Sequence, residues 1–180
     1  MRPKLGCMRE LHLKRLVLLR HAKSDYPLGV SDHDRPLAAR GNREAPAAGA
    51  WLRENDVVPD FIMLSDAQRT RATCAWVISE LGEKAPTPYL DSRIYGASST
   101  RLCSIINETP ETVTTLMVIG HQPVLQELAM RLASVDSNEE AVYELAMDYP
   151  TLGMTVLQTE KPWAEVDGRD MQVTHFVVPR

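Results

Sequence analysis

Three short, mainly apolar runs, each followed by polar residues, divide the first two thirds of the chain. They cover residues 16–19, 61–64 and 113–119. Each run is too short for a helix and lacks strict polar alternation, which is typical of strands buried on both faces of a parallel sheet. Segments with helical spacing follow them, so the pattern predicts an α/β fold built from strand–helix units.

The segments between these strands predict helices. A helix over 37–55 should bend where Gly41 and Pro46 interrupt it, because an internal proline removes a backbone hydrogen bond. Ser98 and Ser99 can cap a further helix over 100–107. The other predicted elements are a strand at 89–90, a helix opened by Pro123, a helix over 141–147, and a helix with an apolar stripe at Ala72, Ala75, Trp76, Ile78 and Leu81.

The last third of the chain predicts the edge of the sheet. Residues 151–159 and 171–178 have the composition of strands, and we expect them to form an antiparallel pair. The loop 160–170 between them is predicted to lie on the surface, with Trp163 covering the end of the sheet.

Composition narrows the class of protein. A length of 180 residues fits one domain, and 44% hydrophobic with 24% charged residues is ordinary for a globular protein. A net charge of -4 with dispersed Lys and Arg argues against a nucleic-acid partner. No apolar run approaches the roughly 20 residues of a membrane span, so no membrane partner is expected.

The cysteines and the N-terminal segment suggest a cytoplasmic protein. Cys7, Cys74 and Cys103 are odd in number and lack the spacing of a zinc site, which predicts free thiols in a reducing compartment. Residues 1–14 are interpreted as a mobile leader, with Met8 as an alternative start, because no signal-peptide pattern follows them.

Arg and His residues follow the predicted strands. Arg20 and His21 follow the first strand, Arg69 and Arg71 the second, and His121 the third. Each of these groups alone also fits an ordinary solvated surface. If the three strands are parallel neighbours, however, their carboxyl ends converge on one site, where imidazoles and guanidiniums together suit a phosphate group. The long loop 22–36 beside them is also of the kind that is usually functional.

These residues resemble a known family. The Arg20-His21 pair, the Ser65, Arg69, Thr73 spacing and Gly120-His121 are similar to the histidine phosphatase superfamily, which includes the cofactor-dependent phosphoglycerate mutases. Within this superfamily, the chain resembles the small branch typified by the phosphohistidine phosphatase SixA. The resemblance runs over residues 16–134. That resemblance implies a phosphoglycerate mutase-like, three-layer α/β/α sandwich over 15–180, with a mostly parallel central sheet and an antiparallel C-terminal edge. The motifs of this branch are 20–24, 34–37, Arg40-Gly41 and 120–123.

The same resemblance implies the roles of the site residues. His21 would be the nucleophile, Arg20 and Arg69 would clamp the phosphoryl oxygens, and a cationic His121 would complete the pocket. Arg35 would be an additional phosphate ligand. The register from Ser65 and Thr73 favours Arg69 over Arg71. Two positions depart from the family pattern: Asp66 replaces a proline and Ala72 replaces a common glutamine.

The implied activity is that of a metal-independent, cofactor-free phosphatase that forms a phosphohistidine. Larger family members supply a glutamate as general acid, but residues 94–97 contain no carboxylate, which leaves Asp66 and Asp91 as candidates. A missing acid favours protein phosphohistidine or another phosphoramidate as substrate. The alternatives are a phosphatase of small esters, such as sugar or nucleotide phosphates, and a non-catalytic module that binds a phosphorylated ligand. The oligomeric state stays open.

Overall fold

The computed structural model describes residues 13–180, and a six-stranded sheet lies at its centre in the order β3-β2-β4-β1-β5-β6. Strands β1, β2, β3 and β4 run parallel to one another, whereas β5 is antiparallel to both β1 and β6. The predicted mostly parallel sheet with an antiparallel C-terminal edge is therefore confirmed. The strands are β1 (Lys14–Arg20), β2 (Phe61–Leu64), β3 (Pro88–Leu90), β4 (Thr115–Gly120), β5 (Met154–Thr159) and β6 (Gln172–Val177).

Helices cover both faces of the sheet. One face carries α1 (Ala39–Glu44), α2 (Pro46–Glu54) and α3 (Gln68–Leu81), and the opposite face carries α4 (Ser99–Asn107), α5 (Val124–Leu132) and α6 (Glu139–Met147). Short 3-10 turns lie at Asp32–Asp34, Gly82–Lys84 and Trp163–Glu165. The predicted three-layer sandwich is confirmed.

Strand β1 shows why its sequence is apolar without interruption. Val17 and Leu19 pack into the core under α1–α3, and Leu16 and Leu18 pack into the core under α4–α6; all four are 0% exposed. A strand covered on both faces has no solvent side on which to place polar residues. Cys74 and Cys103 lie in these two opposite cores and are free thiols, as predicted, whereas Cys7 lies outside the described residues.

The interruption predicted in the first helical segment is confirmed, since α1 ends at Glu44 and Pro46 begins α2, with only Ala45 between them. Of the apolar stripe predicted for α3, Leu81 is buried and Ala72 and Ile78 are partly buried against the core under α1–α3, but the prediction is wrong at Ala75 and Trp76, which are exposed. Trp76 is 38% exposed and donates its Nε1–H to Asn42. Thr70 and Thr73 are buried instead, because each hydroxyl donates to a backbone carbonyl and so can leave water at little cost.

The segment 160–170 also differs from its prediction as a surface loop. Trp163 is 0% exposed and belongs to the core under α4–α6, where its Nε1–H donates to the carbonyl oxygen of Val113 at 2.9 Å. Val166 is buried beside it. The segment therefore contributes Trp163 and Val166 to the core, while its other residues are exposed or half-buried.

The predicted leader lies almost entirely outside the described residues, which begin at Leu13. Lys14 is already part of β1 and pairs with Thr159 of β5. Within the described residues, none of the helices combines the length and hydrophobicity needed to cross a bilayer.

Candidate active site

The sheet register aligns the three strand ends that carry the predicted site. Arg20 of β1 pairs with Gly120 of β4, and Leu64 of β2 pairs with Ile119 of β4. The residues that follow each strand therefore start at the same edge. The structure brings together the loops that hold His21, Ser65 and His121, as predicted from three parallel strands that end at one edge of the sheet.

His21 is buried and has one ring nitrogen committed to the backbone. Its Nδ1 lies 2.7 Å from the carbonyl oxygen of Ala22, an acceptor, so Nδ1 carries the proton and Nε2 keeps its lone pair. Burial lowers the pKa of His21 to about 3, against an opposing effect of the hydrogen bond to Ala22, and the positive charges of Arg69 and Arg20 lower it further. The imidazole is therefore neutral near neutral pH.

The backbone beside His21 is fixed by the helix that carries Arg69. Thr73 accepts a hydrogen bond from the backbone N–H of Ala22 at 3.0 Å, and its hydroxyl donates to the carbonyl oxygen of Arg69. This double contact explains the third member of the Ser65, Arg69, Thr73 spacing. Thr73 joins the loop of the first strand to the first turns of α3.

His121 faces His21 with 5.4 Å between ring centroids. Its Nε2 lies 2.9 Å from Ser65 Oγ, which also accepts a hydrogen bond from the N–H of Ala67. Nδ1 of His121 is buried and has no partner among the described residues. Ser65, directly after β2, therefore fixes the orientation of the His121 ring.

The expectation of a cationic His121 is wrong for the unliganded site. Burial lowers the pKa of His121 to about 4, and the positive charge of Arg69 lowers it further, against a smaller opposing effect of Asp32. Both imidazoles are therefore neutral together, and they do not titrate on opposite sides of neutrality. His121 is therefore an uncharged ring in this site near neutral pH.

Arg20 is held by one end of its guanidinium. NH1 donates to the carbonyl oxygen of Tyr149 at 2.8 Å, while Nε is buried with no partner among the described residues. Tyr149 is itself fixed, because its hydroxyl donates to the carbonyl oxygen of Leu18. Arg20 is thus oriented by the core and retains free donor capacity toward the cleft.

Arg35 is held on all sides by the long loop. Its Nε donates to the carbonyl oxygen of Asp25 at 3.0 Å, and NH2 donates to Ser24 Oγ at 2.6 Å. The guanidinium carbon lies 3.4 Å from the ring centroid of Tyr26, a cation–π arrangement. Arg35 is 9% exposed, so a cation is present at this side of the cleft before any ligand binds.

Gly41 explains why the loop can lie against α1. A Cβ at this position would lie 2.1 Å from the carbonyl oxygen of Lys23, far inside van der Waals contact. Ser24 pairs with Leu37 next to this contact. The Arg40-Gly41 motif therefore allows the close backbone approach that places Ser24, and through it Arg35.

Arg69 lies in the site and Arg71 does not. Arg69 is 7% exposed in the first turn of α3, and its NH1 donates to the backbone oxygen of Asp32 at 2.7 Å. Arg71 is exposed and lines a separate cavity beside β3. Because residues two apart on a helix point in different directions, only one of the two can face the cleft.

Two residues of the site were missed from the sequence. The Asp32 carboxylate accepts from Arg35 NH1 at 3.0 Å, from Arg69 NH2 at 3.2 Å and from the Tyr95 hydroxyl at 2.6 Å. The hydrogen bond from Tyr95 holds the pKa of Asp32 well below its usual range, and the two arginines add to this effect. The sequence offered one signal for Asp32, its position in the long polar loop between the motifs 20–24 and 34–37.

Both carboxylates considered as the general acid make hydrogen bonds to basic side chains. Asp66 lies 2.9 Å from His33 Nε2, and this hydrogen bond raises the pKa of His33. Asp91 is buried, is held by Arg93, and lines a different cavity beside β2. Asp91 is therefore excluded from the site by position.

Two adjoining cavities meet at Arg69, His121 and Gln122. The first, a polar cleft of about 200 Å³, is lined by the predicted site residues Arg20, His21, Arg35, Arg69 and His121. The second, of about 420 Å³, lies on the other side of His121 and includes Asp32 and Tyr95. A cavity of about 640 Å³ near β5 contains none of these residues. Residues 13–180 contain no group of three or more His, Cys, Asp or Glu arranged to hold a metal ion.

Comparison with known proteins identifies the family. Residues 16–114, more than half of the chain, match the model of the histidine phosphatase superfamily, branch 1. The chain belongs to the histidine phosphatase superfamily. Among curated relatives, this histidine phosphatase is similar to the uncharacterized protein Rv1276c of Mycobacterium tuberculosis, with 44% identity over 90% of the chain and 100% of the relative.

Solved structures of SixA proteins are similar to this histidine phosphatase. A SixA protein of Nakamurella multipartitia superimposes with a TM-score of 0.81 and 27% identity, covering 93% of this chain and 96% of the other. A SixA protein of Agrobacterium tumefaciens gives a TM-score of 0.75 and 26% identity, over 92% and 98% of the two chains. Family membership supports phosphatase activity on a phosphorylated substrate.

Proposed function

We propose that this protein is a metal-independent phosphatase that transfers the phosphoryl group to His21 and acts on protein phosphohistidine or another phosphoramidate. The observation that carries the proposal is the state of the His21 ring. Nδ1–H is bound to Ala22, Nε2 has a free lone pair, and burial lowers the pKa to about 3. A neutral imidazole presented at a cationic cleft is an activated nucleophile.

The positive charge of the cleft supports phosphoryl transfer without a metal ion. Arg20, Arg35 and Arg69 approach it from three different segments and carry buried or half-buried guanidiniums. Preorganised cations stabilise phosphoryl oxygens strongly because they need no reorganisation during the reaction. His121 lines the same cleft.

The transfer balances in two steps. Nε2 of His21 attacks phosphorus while the bond to the leaving group breaks, and the leaving group takes that electron pair. Water then attacks the phosphohistidine, the bond from phosphorus to Nε2 breaks, and inorganic phosphate leaves with the oxygen of that water. The phosphohistidine intermediate therefore replaces one difficult hydrolysis with two easier substitutions.

The protonation states of Asp32 and Tyr95 favour a phosphoramidate as the substrate. Asp32 is ionised because its pKa lies below the usual range, and the Tyr95 hydroxyl has a raised pKa because it donates to Asp32. Neither is poised to give up a proton at neutral pH. A phosphoramidate nitrogen that is already protonated can leave as a neutral amine or imidazole and does not need an enzymic acid.

Phosphate release from a substrate panel tests the proposal. The panel contains a phosphohistidine protein, phosphoramidate, an aryl phosphate and several sugar phosphates, each with and without a chelator. We expect turnover of the P–N compounds with no effect of the chelator. Preference for a sugar phosphate would support the small-ester alternative. Tight phosphate binding without turnover would indicate a binding module, and loss of activity with chelator would contradict the metal-free mechanism.

A further inference from the structure

Asp66 carries a negative charge next to the candidate phosphate site. It lies between Ser65, whose hydroxyl contacts His121, and the first turn of α3, which carries Arg69. A carboxylate at this place opposes the binding of a phosphate group, because like charges repel and a partly buried site is screened less than open solvent. The mechanism described so far gives this carboxylate no role.

The structure provides Asp66 with a basic partner from another segment. Nε2 of His33, in the 3-10 turn Asp32–Asp34, lies 2.9 Å from Oδ1 of Asp66. Nδ1 of the same ring lies 3.6 Å from a carboxylate oxygen of Asp34, so a carboxylate faces each ring nitrogen. These two carboxylates raise the pKa of His33, and the hydrogen bond to Asp66 is the main cause. The imidazolium form therefore persists to a higher pH than in a free histidine.

The turn that carries His33 is fixed against the elements that line the cleft. The rings of His33 and Tyr95 meet at 89° with 4.8 Å between their centroids, and the Tyr95 ring lies 5.6 Å from that of His121. Tyr95 and Arg69 both donate hydrogen bonds to Asp32 of the same turn. The charged and titratable groups around the turn are Asp32, Asp34, Asp66, Arg69, Tyr95 and His121.

We infer that His33 is the counter-ion of Asp66 and prevents this carboxylate from weakening phosphate binding in the cleft; the inference rests on the phosphate site of the proposed function. His33 lines neither cavity of the site, so it is a positioning residue that acts through Asp66. With His33 protonated the pair has no net charge, whereas the neutral ring leaves one uncompensated negative charge. Because its pKa is raised, this compensation is complete at acidic pH and is lost as the pH rises through that pKa.

Calorimetric titration with inorganic phosphate tests the inference without requiring turnover. The variants are His33→Asn, Asp66→Asn and the double variant, each compared with the parent protein at the same pH so that the titration of phosphate itself cancels. His175→Asn is the matched control, because His175 is exposed on β6 and lies outside both cavities.

At about pH 6, where His33 is protonated, we expect His33→Asn to weaken phosphate binding about two- to fivefold, the scale of a partly exposed charge pair. Asp66→Asn should bind phosphate at least as tightly as the parent. The double variant should return to the parent affinity, because its pair again has no net charge. At about pH 9 the parent has lost the His33 proton, so its difference from His33→Asn should disappear. His175→Asn should match the parent at both pH values.

The double variant separates compensation of charge from a purely structural contact. If the contact only held the two segments together, Asp66→Asn would weaken binding as His33→Asn does, and the double variant would not recover. That pattern, or a loss in His33→Asn that persists at high pH, would overturn the inference. The expected pattern of phosphate binding in a protein that hydrolyses no phosphoramidate would contradict the proposed function alone. Absence of phosphate binding by the parent protein would overturn both.

Discussion

Removal of the Arg69 side chain should cause a large loss of activity, whereas removal of Arg71, two residues later on α3, should cause almost none. Arg69 is 7% exposed and directs both terminal nitrogens at Asp32, next to the cleft. Arg71 faces solvent on another side of the helix. The two alanine variants therefore remove the same chemical group from the same helix, inside and outside the site.

The structure sets the size of the expected effect. Arg69 supplies charge and two N–H donors with little solvent screening, and loss of one preorganised stabiliser costs about 100- to 1000-fold, or about 2.7–4 kcal/mol. We expect kcat/KM of Arg69→Ala to fall in this range and that of Arg71→Ala by less than about twofold. Arg69→Lys should fall between them, because lysine keeps the charge but loses the planar fork.

The assay is steady-state release of phosphate from phosphoramidate, with urea unfolding of each variant as the control for folding. A second readout is the pH profile of kcat/KM, because the charge of Arg69 lowers the pKa of His121 and its removal should shift the acidic limb upward. Equal losses in the two alanine variants, or a larger loss in Arg71→Ala, would refute the assignment of Arg69.

Three further predictions follow from the site geometry. With pKa values of about 3 for His21 and about 4 for His121, kcat/KM corrected for substrate titration should stay level on acidification and fall only near about pH 4. Asp32→Asn removes a competing carboxylate from two arginines, so inhibition by inorganic phosphate should strengthen several-fold. Gly41→Ala should lower both kcat/KM and the urea midpoint, whereas Gly168→Ala, with its nearest atom at 3.7 Å, should change neither.

Each of these outcomes can fail separately. A titration of kcat/KM near 6.5 would show that the imidazoles are not desolvated in solution. Weaker phosphate inhibition in Asp32→Asn would show that the carboxylate mainly positions Arg35 and Arg69. Full activity and stability in Gly41→Ala would contradict the close approach of the Lys23 backbone.

The strands and the meeting point of the site were predictable from the sequence because each depends on a local pattern. A doubly buried strand such as β1 must be apolar throughout, and parallel strands must end at one edge. The burial of Thr70 and Thr73 was not predictable from polarity, because their hydroxyls find backbone acceptors only once α3 has formed. Trp163 was misplaced for a related reason, since its buried environment comes from elements distant in the chain.

The electrostatics of the site also depended on the fold. The sequence shows that His121 follows a strand, but its pKa is lowered mainly by burial, which only the folded chain determines. Asp32 lies in a loop without periodicity, and beside its local partner Arg35 it contacts Arg69 and Tyr95, which come from distant segments. Long-range contacts of this kind leave no signal in residue spacing.

The most direct test of the mechanism is to trap the phosphorylated intermediate. The protein is mixed briefly with phosphoramidate, quenched without acid because phosphohistidine is acid-labile, and mapped by mass spectrometry, with His21→Ala treated in parallel. We predict a phosphoryl group on His21 of the parent protein, and neither label nor turnover in His21→Ala. Label on a serine or an aspartate, or turnover that persists in His21→Ala, would contradict the account.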